Sequence, residues 1–500
     1  MAKKIDLKKY QLLSSRQRMS PFPNYMSMIA TCNEAEKFFG YKLDEIILFW
    51  KERLMIGFVN SEDMKKKGEA LTRAIKKDHS FFANMIKKQD KYGKDLSRFT
   101  KNTHKKVNNK TTNKQLLEYY KTYEDKYKLV YGTYGFVWVV EDFFMSELLE
   151  IIQKEIKNVK KASDILNVLT KQPSAMVAGI EKRALMKLAI EISNNNTWGK
   201  LIINNNISKI KKQANLKKLI NKHVDKYFWV TRDYEDPVLT LESIIERLGE
   251  LLKTKNLLNS YKKELKKLEN FEIDRKKYIK KLKLTKDEIA LFDTMRDMAH
   301  LKELRKKYVS ESLYYFDKIL TEIGKRLFMS IQQVRFMTTK DIEESLIENK
   351  DVSEEINKRI KTSVWHFHGN KMNILVGKEG EKIYNTFNKP AKNLKELTGM
   401  PVSPGKTKGR VKIVMNPDEC DKVERGDIIV SVQVVPSFST AIIKSAGLIC
   451  DGGHGATSHP ATLAREAGIP CVIQTRFARD ILKDGDIVEV DGYKGIIKKL

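Results

Sequence analysis

Glycine and proline are distributed very unevenly along this chain, and this limits how it can fold. The part before residue 401 contains 14 Gly and five Pro, whereas the last hundred residues contain 11 Gly and six Pro. Gly and Pro interrupt helices and form turns, so the first part can hold long helices and the last part must turn often. The sequence therefore predicts a change of architecture near Pro401.

The first part carries the pattern of amphipathic helices. From about Asn33 to Lys160, apolar residues recur at three- and four-residue spacing between charged ones, which is typical of helices with one buried face. Residues 131–140 are aromatic and β-branched and fit either a short strand or a buried helical turn. Residues 250–285 are lysine-rich and predict an antiparallel helical hairpin. We therefore predict a basic all-α region, of one or more domains, over residues 1–350.

Composition favours a soluble, folded protein of the cytoplasm. The chain is 41% hydrophobic and 32% charged, and its first residues lack the apolar core of a signal peptide. The most apolar stretch, residues 136–149, holds three acidic residues and is too short to span a bilayer, so we expect no membrane contact. The cysteines lack CxxC spacing and predict packed, reduced thiols: Cys32, Cys420, Cys450 and Cys471.

The formal net charge is +30, and the excess lies almost wholly before residue 401. The last hundred residues carry 14 Lys and Arg against 12 Asp and Glu. A basic surface of this size can serve nucleic acid or an anionic substrate. The lysines are dispersed rather than striped, so compositional drift is the plainer interpretation, and nucleic acid is a less favoured partner.

Two alternating runs surround a Gly369-Asn370 turn and predict a β-hairpin; we assign a hairpin and linker to residues 351–397. His366 and His368 fall on one face of the first strand, with the spacing of two metal ligands. Two ligands do not make a site, and no third partner is evident in the sequence. We therefore expect ordinary strand histidines and no metal.

The last hundred residues alternate between short apolar runs and turns, which predicts a compact α/β domain over residues 398–500. The helices are expected at Ser439–Ser445 and His459–Ala467. The candidate strands are Gly409–Val414, Asp427–Val432, Gly447–Cys450, Pro470–Gln474, Asp486–Val490 and Gly495–Lys498.

A glycine-rich turn at residues 451–455 leads to the start of the second of these helices. Pro460 suits the first helical position, where its missing N–H costs nothing, and Gly468 suits the helix end. His459 would then lie at the helix cap, with the amides of Ala461 and Thr462 beside it.

A helix start attracts anions through its unpaired amides and its dipole, by up to ~2 kcal/mol. A neutral imidazole at that place can attack phosphorus, since an unperturbed histidine has a pKa near ~6.5. We therefore hypothesise that His459 carries a phosphoryl group. The alternative is a plain helix-capping histidine.

Three motifs in order resemble a known family: residues 401–410 (PVSPGKTKGR), the triplet Thr457-Ser458-His459, and residues 464–470 (AREAGIP). Together they are similar to the phosphohistidine swivelling domain, the mobile domain of PEP-utilising enzymes such as phosphoenolpyruvate synthase, pyruvate phosphate dikinase and rifampicin phosphotransferase. The resemblance implies a β/β/α domain in which His459 is phosphorylated. It also implies that Thr457 and Ser458 line the phosphoryl pocket. We add Gly455, Arg465 and the helix-start residues Ala461 and Thr462 as candidate pocket residues.

Three positions qualify this resemblance. His454 stands where the family usually has glycine, and it is either a second proton carrier or a loop histidine without a role. Pro460 replaces a usual small residue. Arg465 lies six residues after His459, so a contact to the protein core fits as well as a contact to phosphate.

Full-length relatives have an ATP-grasp domain and often a barrel that binds phosphoenolpyruvate, and the part of this chain before Pro401 lacks the repeated βα pattern of a barrel. The resemblance therefore implies a standalone phosphotransferase component. A separate ATP-grasp or phosphoenolpyruvate-dependent partner would charge His459, with ATP and Mg²⁺ on that partner and no cofactor bound tightly here.

The acceptor, a small molecule or a protein, is expected to bind the helical region. Arg296, His300 and Arg305 form a candidate anion site there, although a solvated basic face is the plainer interpretation. Two other functions fit the sequence: a non-enzymatic phosphocarrier or regulator, and a nucleic-acid-binding helical protein with a vestigial phosphohistidine domain.

Overall fold

The structure is a computed structural model that describes residues 9–171, 176–232, 234–369, 371–388, 396–434, 438–453 and 458–500. The chain divides into two compact units. Unit 1 comprises Met1–Ala74, Asn108–Ser146 and Ile319–Leu500, and unit 2 comprises Ile75–Val107 and Glu147–Lys318.

The strands, in chain order, are β1 (Tyr10–Arg16), β2 (Glu45–Lys51), β3 (Leu54–Asn60), β4 (Ser363–His368), β5 (Lys371–Val376), β6 (Glu396–Thr398), β7 (Met400–Ser403), β8 (Lys406–Ile413), β9 (Ile428–Ser431), β10 (Gly447–Cys450), β11 (Cys471–Ile473), β12 (Ile487–Asp491) and β13 (Ile496–Lys499).

The helices are α1 (Pro21–Ile29), α2 (Glu36–Phe39), α3 (Ser61–Lys77), α4 (Phe81–Lys106), α5 (Asn113–Gly132), α6 (Val137–Glu155), α7 (Val159–Thr170), α8 (Val177–Ser193), α9 (Asn196–Ile203), α10 (Ile207–Lys212), α11 (Ala214–Tyr227), α12 (Leu241–Lys253), α13 (Leu257–Lys281), α14 (Lys286–Leu327), α15 (Ile331–Val334), α16 (Thr339–Ile347), α17 (Ser353–Lys361), α18 (Gly377–Asn388), α19 (Ser439–Lys444), α20 (His459–Ala467) and α21 (Ala478–Ile481). A π-helical segment (Ala30–Glu34) and a 3₁₀ segment (Pro417–Lys422) complete the described elements. None of these helices is long and apolar enough to cross a membrane.

The predicted fold class is confirmed: a large helical region precedes a domain built on a mixed sheet. One detail is wrong, because residues 1–350 are not all helical and contain β1, β2 and β3. β2 has the burial pattern of a strand covered on both faces. Such a continuous apolar run cannot be told from a buried helix by periodicity alone. Residues 131–140, which fit two structures in the sequence, lie at the junction of α5 and α6.

A five-stranded antiparallel sheet in unit 1 has the order β1-β3-β2-β4-β5. The predicted hairpin is confirmed as β4 and β5, and it extends a sheet whose other three strands come from the start of the chain. On one face Phe49, Phe58 and Val364 pack with Phe387 of α18. On the other face Trp365 packs against Trp50 and Tyr25. The predicted domain boundaries at residues 350 and 397 remain predictions.

The last hundred residues form an eight-stranded sheet with the order β6-β13-β12-β8-β9-β10-β11-β7. β8, β9, β10 and β11 are parallel to one another, and the outer strands are antiparallel. β9, β10 and β11 are buried on both faces, as parallel strands generally are. All six predicted strands and both predicted helices are found within two residues of their expected ends, except the start of β8. The sequence missed β6, β7 and α21.

Unit 2 is helical. The predicted antiparallel hairpin exists, but its arms are α13 and α14 rather than two helices within residues 250–285. Arg275 pairs with Asp293 at 2.5 Å, and Glu272 pairs with Arg296 at 2.8 Å. The second pair lies three residues earlier than the first on α13 and three residues later on α14. This opposite shift is the register of an antiparallel helix pair.

Candidate functional site

The turn and helix that carry His459 lie at the carboxyl end of β10. β10 and β11 run parallel, and α20 connects them. In open α/β sheets, ligands bind outside the carboxyl ends of the strands, where helix N-termini and loops meet. The topology therefore puts His459 at the edge of the sheet where ligands bind in folds of this kind.

The predicted helix is confirmed, with changes at its first turn. Ser458 is the N-cap residue, with extended backbone angles, and His459 is the first helical residue. The amide of Thr462 donates to the Ser458 carbonyl at 2.9 Å, so it is a helical hydrogen-bond donor and not a free donor for an anion. The helix ends at Gly468, whose φ of 70° is left-handed, as predicted.

His459 is exposed, whereas Pro460, Ala461 and Ala464 are buried against the sheet. Small apolar side chains therefore pack on the buried face of α20, and His459 lies at the solvent-exposed start of the helix. The first amides of any helix have no hydrogen-bond acceptor within that helix, and the Ala461 amide is one of them in α20. Of the other predicted pocket residues, Gly455 and Thr457 lie outside the described residues, as does His454, and their roles remain predictions.

Asp451 anchors the start of the glycine-rich turn. Its carboxylate, 2% exposed, accepts hydrogen bonds from the Thr475 hydroxyl at 2.7 Å and from the Ala478 and Arg479 amides at 2.7 and 3.1 Å. Burial raises the pKa of this carboxyl above its usual range, against the effect of these hydrogen bonds. No local pattern indicates this role, because the donors come from the segment after β11.

The glycine pair after Asp451 is required by close backbone packing. A Cβ on Gly452 would lie 2.5 Å from the Ser15 carbonyl oxygen of β1 and 2.6 Å from that of Val432. Gly453 has a φ of 93°, which residues with a side chain rarely adopt. The turn therefore packs closely between the end of β9 and β1, the edge strand of the five-stranded sheet.

Arg476 makes a second contact between the eight-stranded and five-stranded sheets of unit 1. Its guanidinium donates to the Phe387 carbonyl at 3.0 Å and lies 4.9 Å over the Phe58 ring. Arg476 itself has a left-handed φ of 66°. Residues before and after the His459 turn therefore contact the five-stranded sheet and its covering helix α18, Gly452 through its backbone and Arg476 through its guanidinium.

Arg465 points to the protein interior. Its guanidinium donates to the Val402 carbonyl of β7 at 3.0 Å, and burial lowers its pKa. This contact favours the structural role that the sequence left open. Its place in the phosphoryl pocket remains a prediction.

The candidate acceptor residues all lie on α14, within unit 2. Arg296 is mostly buried and bound to Glu272. Beside it, burial and then the Asp293 carboxylate raise the pKa of Asp297. Arg296 thus has a partner that fixes the helical hairpin, and an anion would have to compete with it. The role of Arg296, His300 and Arg305 in acceptor binding remains a prediction.

All four cysteines are buried and free, which confirms the prediction of packed thiols. Burial raises the pKa of the Cys450 and Cys471 thiols beneath the site. These thiols are therefore protonated at neutral pH, and they are poor nucleophiles.

Replacing Asp451 with alanine is expected to lower the free energy of unfolding by about 1–3 kcal/mol, since it leaves buried donors without an acceptor. Denaturant unfolding followed by circular dichroism measures this. Asp421→Ala, at an exposed position of the same domain, is the matched control and should change stability by no more than about 0.5 kcal/mol. Equal stability of the two variants would show that the Asp451 hydrogen bonds do not hold the turn.

Comparison with known proteins assigns a family to this domain. Residues 423–495 match the model of the PEP-utilising enzyme, mobile domain. A probable phosphoenolpyruvate synthase of Archaeoglobus fulgidus is 32% identical over 38% of this chain and 28% of its own length. Another, from Methanothermobacter thermautotrophicus, is 42% identical over 20% of this chain and 15% of its own length.

The rifampicin phosphotransferase of Bacillus cereus is 24% identical over 41% of this chain and 24% of its own length. The chain thus covers at most 28% of the length of these three curated relatives. Two of them are named probable phosphoenolpyruvate synthases, and the third is named a rifampicin phosphotransferase. The matched segment contains β9 to β12, α19 to α21 and the turn that carries His459. Residues 423–495 are a PEP-utilising enzyme mobile domain.

Proposed function

We propose that the chain is a phosphotransferase component that carries a phosphoryl group on His459. A separate ATP-grasp or phosphoenolpyruvate-dependent partner supplies the group, and an acceptor bound elsewhere receives it. The observation that carries the proposal is the exposed position of His459, the first residue of α20, at the carboxyl end of β10 in the matched domain.

The chemistry needs only the imidazole and a place for negative charge. A ring nitrogen attacks the phosphorus of the donor, a P–N bond forms, and the P–O bond to the leaving group breaks. In the second step an oxygen of the acceptor attacks, the P–N bond breaks, and the nitrogen recovers its electron pair. The start of α20 stabilises the added charge through its dipole, and Mg²⁺ is expected on the partner that binds the donor.

Transfer between two sites requires the domain to move, and unit 1 contains contacts that such a movement would break. The Gly452 turn packs on Ser15, and Arg476 packs on Phe58 and Phe387. These are one backbone approach and one guanidinium contact rather than a large apolar interface. We propose that they define one docked position of the mobile domain.

Labelled donors test the proposal. The full chain is incubated with ³²P-labelled ATP, with and without the ATP-grasp protein encoded nearest to it, and in parallel with ³²P-labelled phosphoenolpyruvate. We expect label that is stable to base and lost in acid, as a phosphoramidate is, in at least one arm. Absence of label with every donor, or label that survives acid, would contradict the proposal.

Nucleic-acid binding is a second, less favoured candidate function, and the net charge of +30 is the observation that it would explain. Such binding would weaken steeply with salt, because phosphate contacts release counterions, and His459→Ala would leave it unchanged. A non-enzymatic phosphocarrier or regulator would differ from both: it would accept label on His459 but would have no acceptor pocket in the helical region.

A further inference from the structure

The hairpin histidines lie beside a carboxylate that belongs to a much earlier strand, β2. β4 pairs with β2 so that His368 stands directly opposite Glu45, and His366 stands opposite Ile47. Directly paired residues project from the same face of a sheet, so Glu45, His366 and His368 share one face. The third partner that the sequence did not reveal is therefore Glu45.

The three side chains converge. The His366 Nε2 and Glu45 Oε1 atoms are 2.6 Å apart, and one ligand atom from each of the three residues lies within 4.8 Å of the other two. Glu45 and His366 are half-buried, at 18% and 26% exposure, and His368 is exposed. Because Glu45 and His366 are half-buried and His368 is exposed, an ion can reach the three side chains from solvent.

The surroundings hold the carboxylate in place. The hydroxyl of Tyr10 in β1 also hydrogen-bonds Glu45, the kind of outer contact that orients metal ligands. On the same face, Phe49 and Val364 continue into the apolar cluster under α18, so the three side chains lie at the edge of a packed apolar core. Lys371 stands opposite His368 and is exposed, which lets its ammonium group remain in solvent.

We infer that Glu45, His366 and His368 bind one divalent transition-metal ion of the zinc class, leaving at least one coordination position for water. Two imidazoles and one carboxylate suit Zn²⁺, Fe²⁺ or Co²⁺, whereas Mg²⁺ and Ca²⁺ prefer oxygen ligands alone. Bonds of about 2.0–2.2 Å place ligand atoms within about 4.4 Å of one another, so small side-chain rotations complete the site. When the ion binds through His366 Nε2, the neutral ring carries its proton on Nδ1, and Glu45 changes from a hydrogen-bond partner of His366 to a ligand of the ion.

The proposed site departs from the expectation of no metal, which stays a prediction until cobalt binding tests it. The untagged full chain is titrated with Co²⁺, the visible d–d absorption is recorded, and Zn²⁺ is then added as competitor. We expect one ion per chain, displaced by Zn²⁺, and at least about tenfold weaker binding for His368→Asn and for Glu45→Gln.

His79→Asn is the matched control, since His79 is an exposed histidine on the other unit that pairs with Asp287 at 3.7 Å, and it should bind cobalt as the natural chain does. Circular dichroism checks the folding of each variant. If Glu45→Gln does not fold, His368→Asn decides alone, because His368 is exposed and its replacement leaves the core intact. No cobalt spectrum for the natural chain, or equal affinity for His368→Asn, overturns the inference.

Discussion

Replacing His459 with alanine is expected to reduce acid-labile phosphoryl label on the chain to background, a loss on the order of 100-fold or more. Hydroxyl groups near α20 could also accept phosphoryl groups, but they would form esters that acid does not cleave. His459→Gln should lose label equally, because an amide has no nucleophilic lone pair like that of imidazole. Filter binding after acid and base treatment measures both variants.

The control for this experiment is His79→Gln, which removes an exposed histidine outside the matched domain and should label fully. Circular dichroism should be unchanged in His459→Ala, since His459 is exposed and its replacement removes no core packing. Retention of acid-labile label in a folded His459→Ala chain would assign the phosphoryl group to another histidine.

The second large effect concerns the stability of unit 1. Asp341 of α16 and Arg359 of α17 form a buried pair, with atoms 2.6 and 3.2 Å apart and with side chains that are 11% and 9% exposed. Asp341 also accepts from the Thr338 amide and hydroxyl at 2.7 Å. Replacing Asp341 with alanine should lower the free energy of unfolding by about 3–5 kcal/mol. The buried guanidinium is then left with the longer contacts with Glu355 at 3.5 Å and with the Phe336 carbonyl at 3.3 Å.

This loss should depend on pH. Despite the opposing effect of burial, hydrogen bonds and the charge of Arg359 hold the pKa of Asp341 below its usual value. A lowered pKa stabilises the fold above the pKa of the unfolded chain, about 3.9, and this stability is lost as the pH falls. The difference between the natural chain and Asp341→Asn should therefore be full near neutral pH and shrink below about pH 4.

Glu343→Ala is the matched control on the same helix. Glu343 pairs with Lys121 at 2.7 Å, but the Lys121 and Glu343 side chains are 45% and 44% exposed, and exposed pairs contribute about 0–1 kcal/mol. Denaturant unfolding at several pH values compares the variants. If Asp341→Ala and Glu343→Ala cost the same, the buried pair does not stabilise unit 1 as described.

The mobile domain is predictable from its sequence because its signals are local. β9, β10 and β11 are short apolar runs, Gly468 ends a helix that starts near Pro460, and the family motifs fall within a hundred residues. Sequence reasoning fails where contacts are distant. β2 pairs with β4 across the whole helical region, so the apolar run of β2 fits a helix as well as a strand, and no local pattern links Glu45 to His366.

The details of the site show the same limit. The glycine pair predicts a turn, but its reason lies in the Ser15 carbonyl of β1. Asp451 opens the predicted motif, yet its hydrogen-bond donors come after β11. Two roles fit Arg465 in the sequence, and its contact with Val402 favours the structural one. Local patterns predict an element and its chemistry, whereas tertiary contacts decide which side chains meet.

Locating the phosphoryl group within the labelled chain distinguishes His459 from every other possible acceptor in it. Trypsin cleaves after Lys444 and Arg465, so one peptide, residues 445–465, contains His454, Thr457, Ser458 and His459. Digestion at neutral or basic pH and fragmentation in a mass spectrometer separate these positions. We expect phosphorylation of His459. A phosphoryl group on His454, on either hydroxyl, or outside this peptide would contradict it.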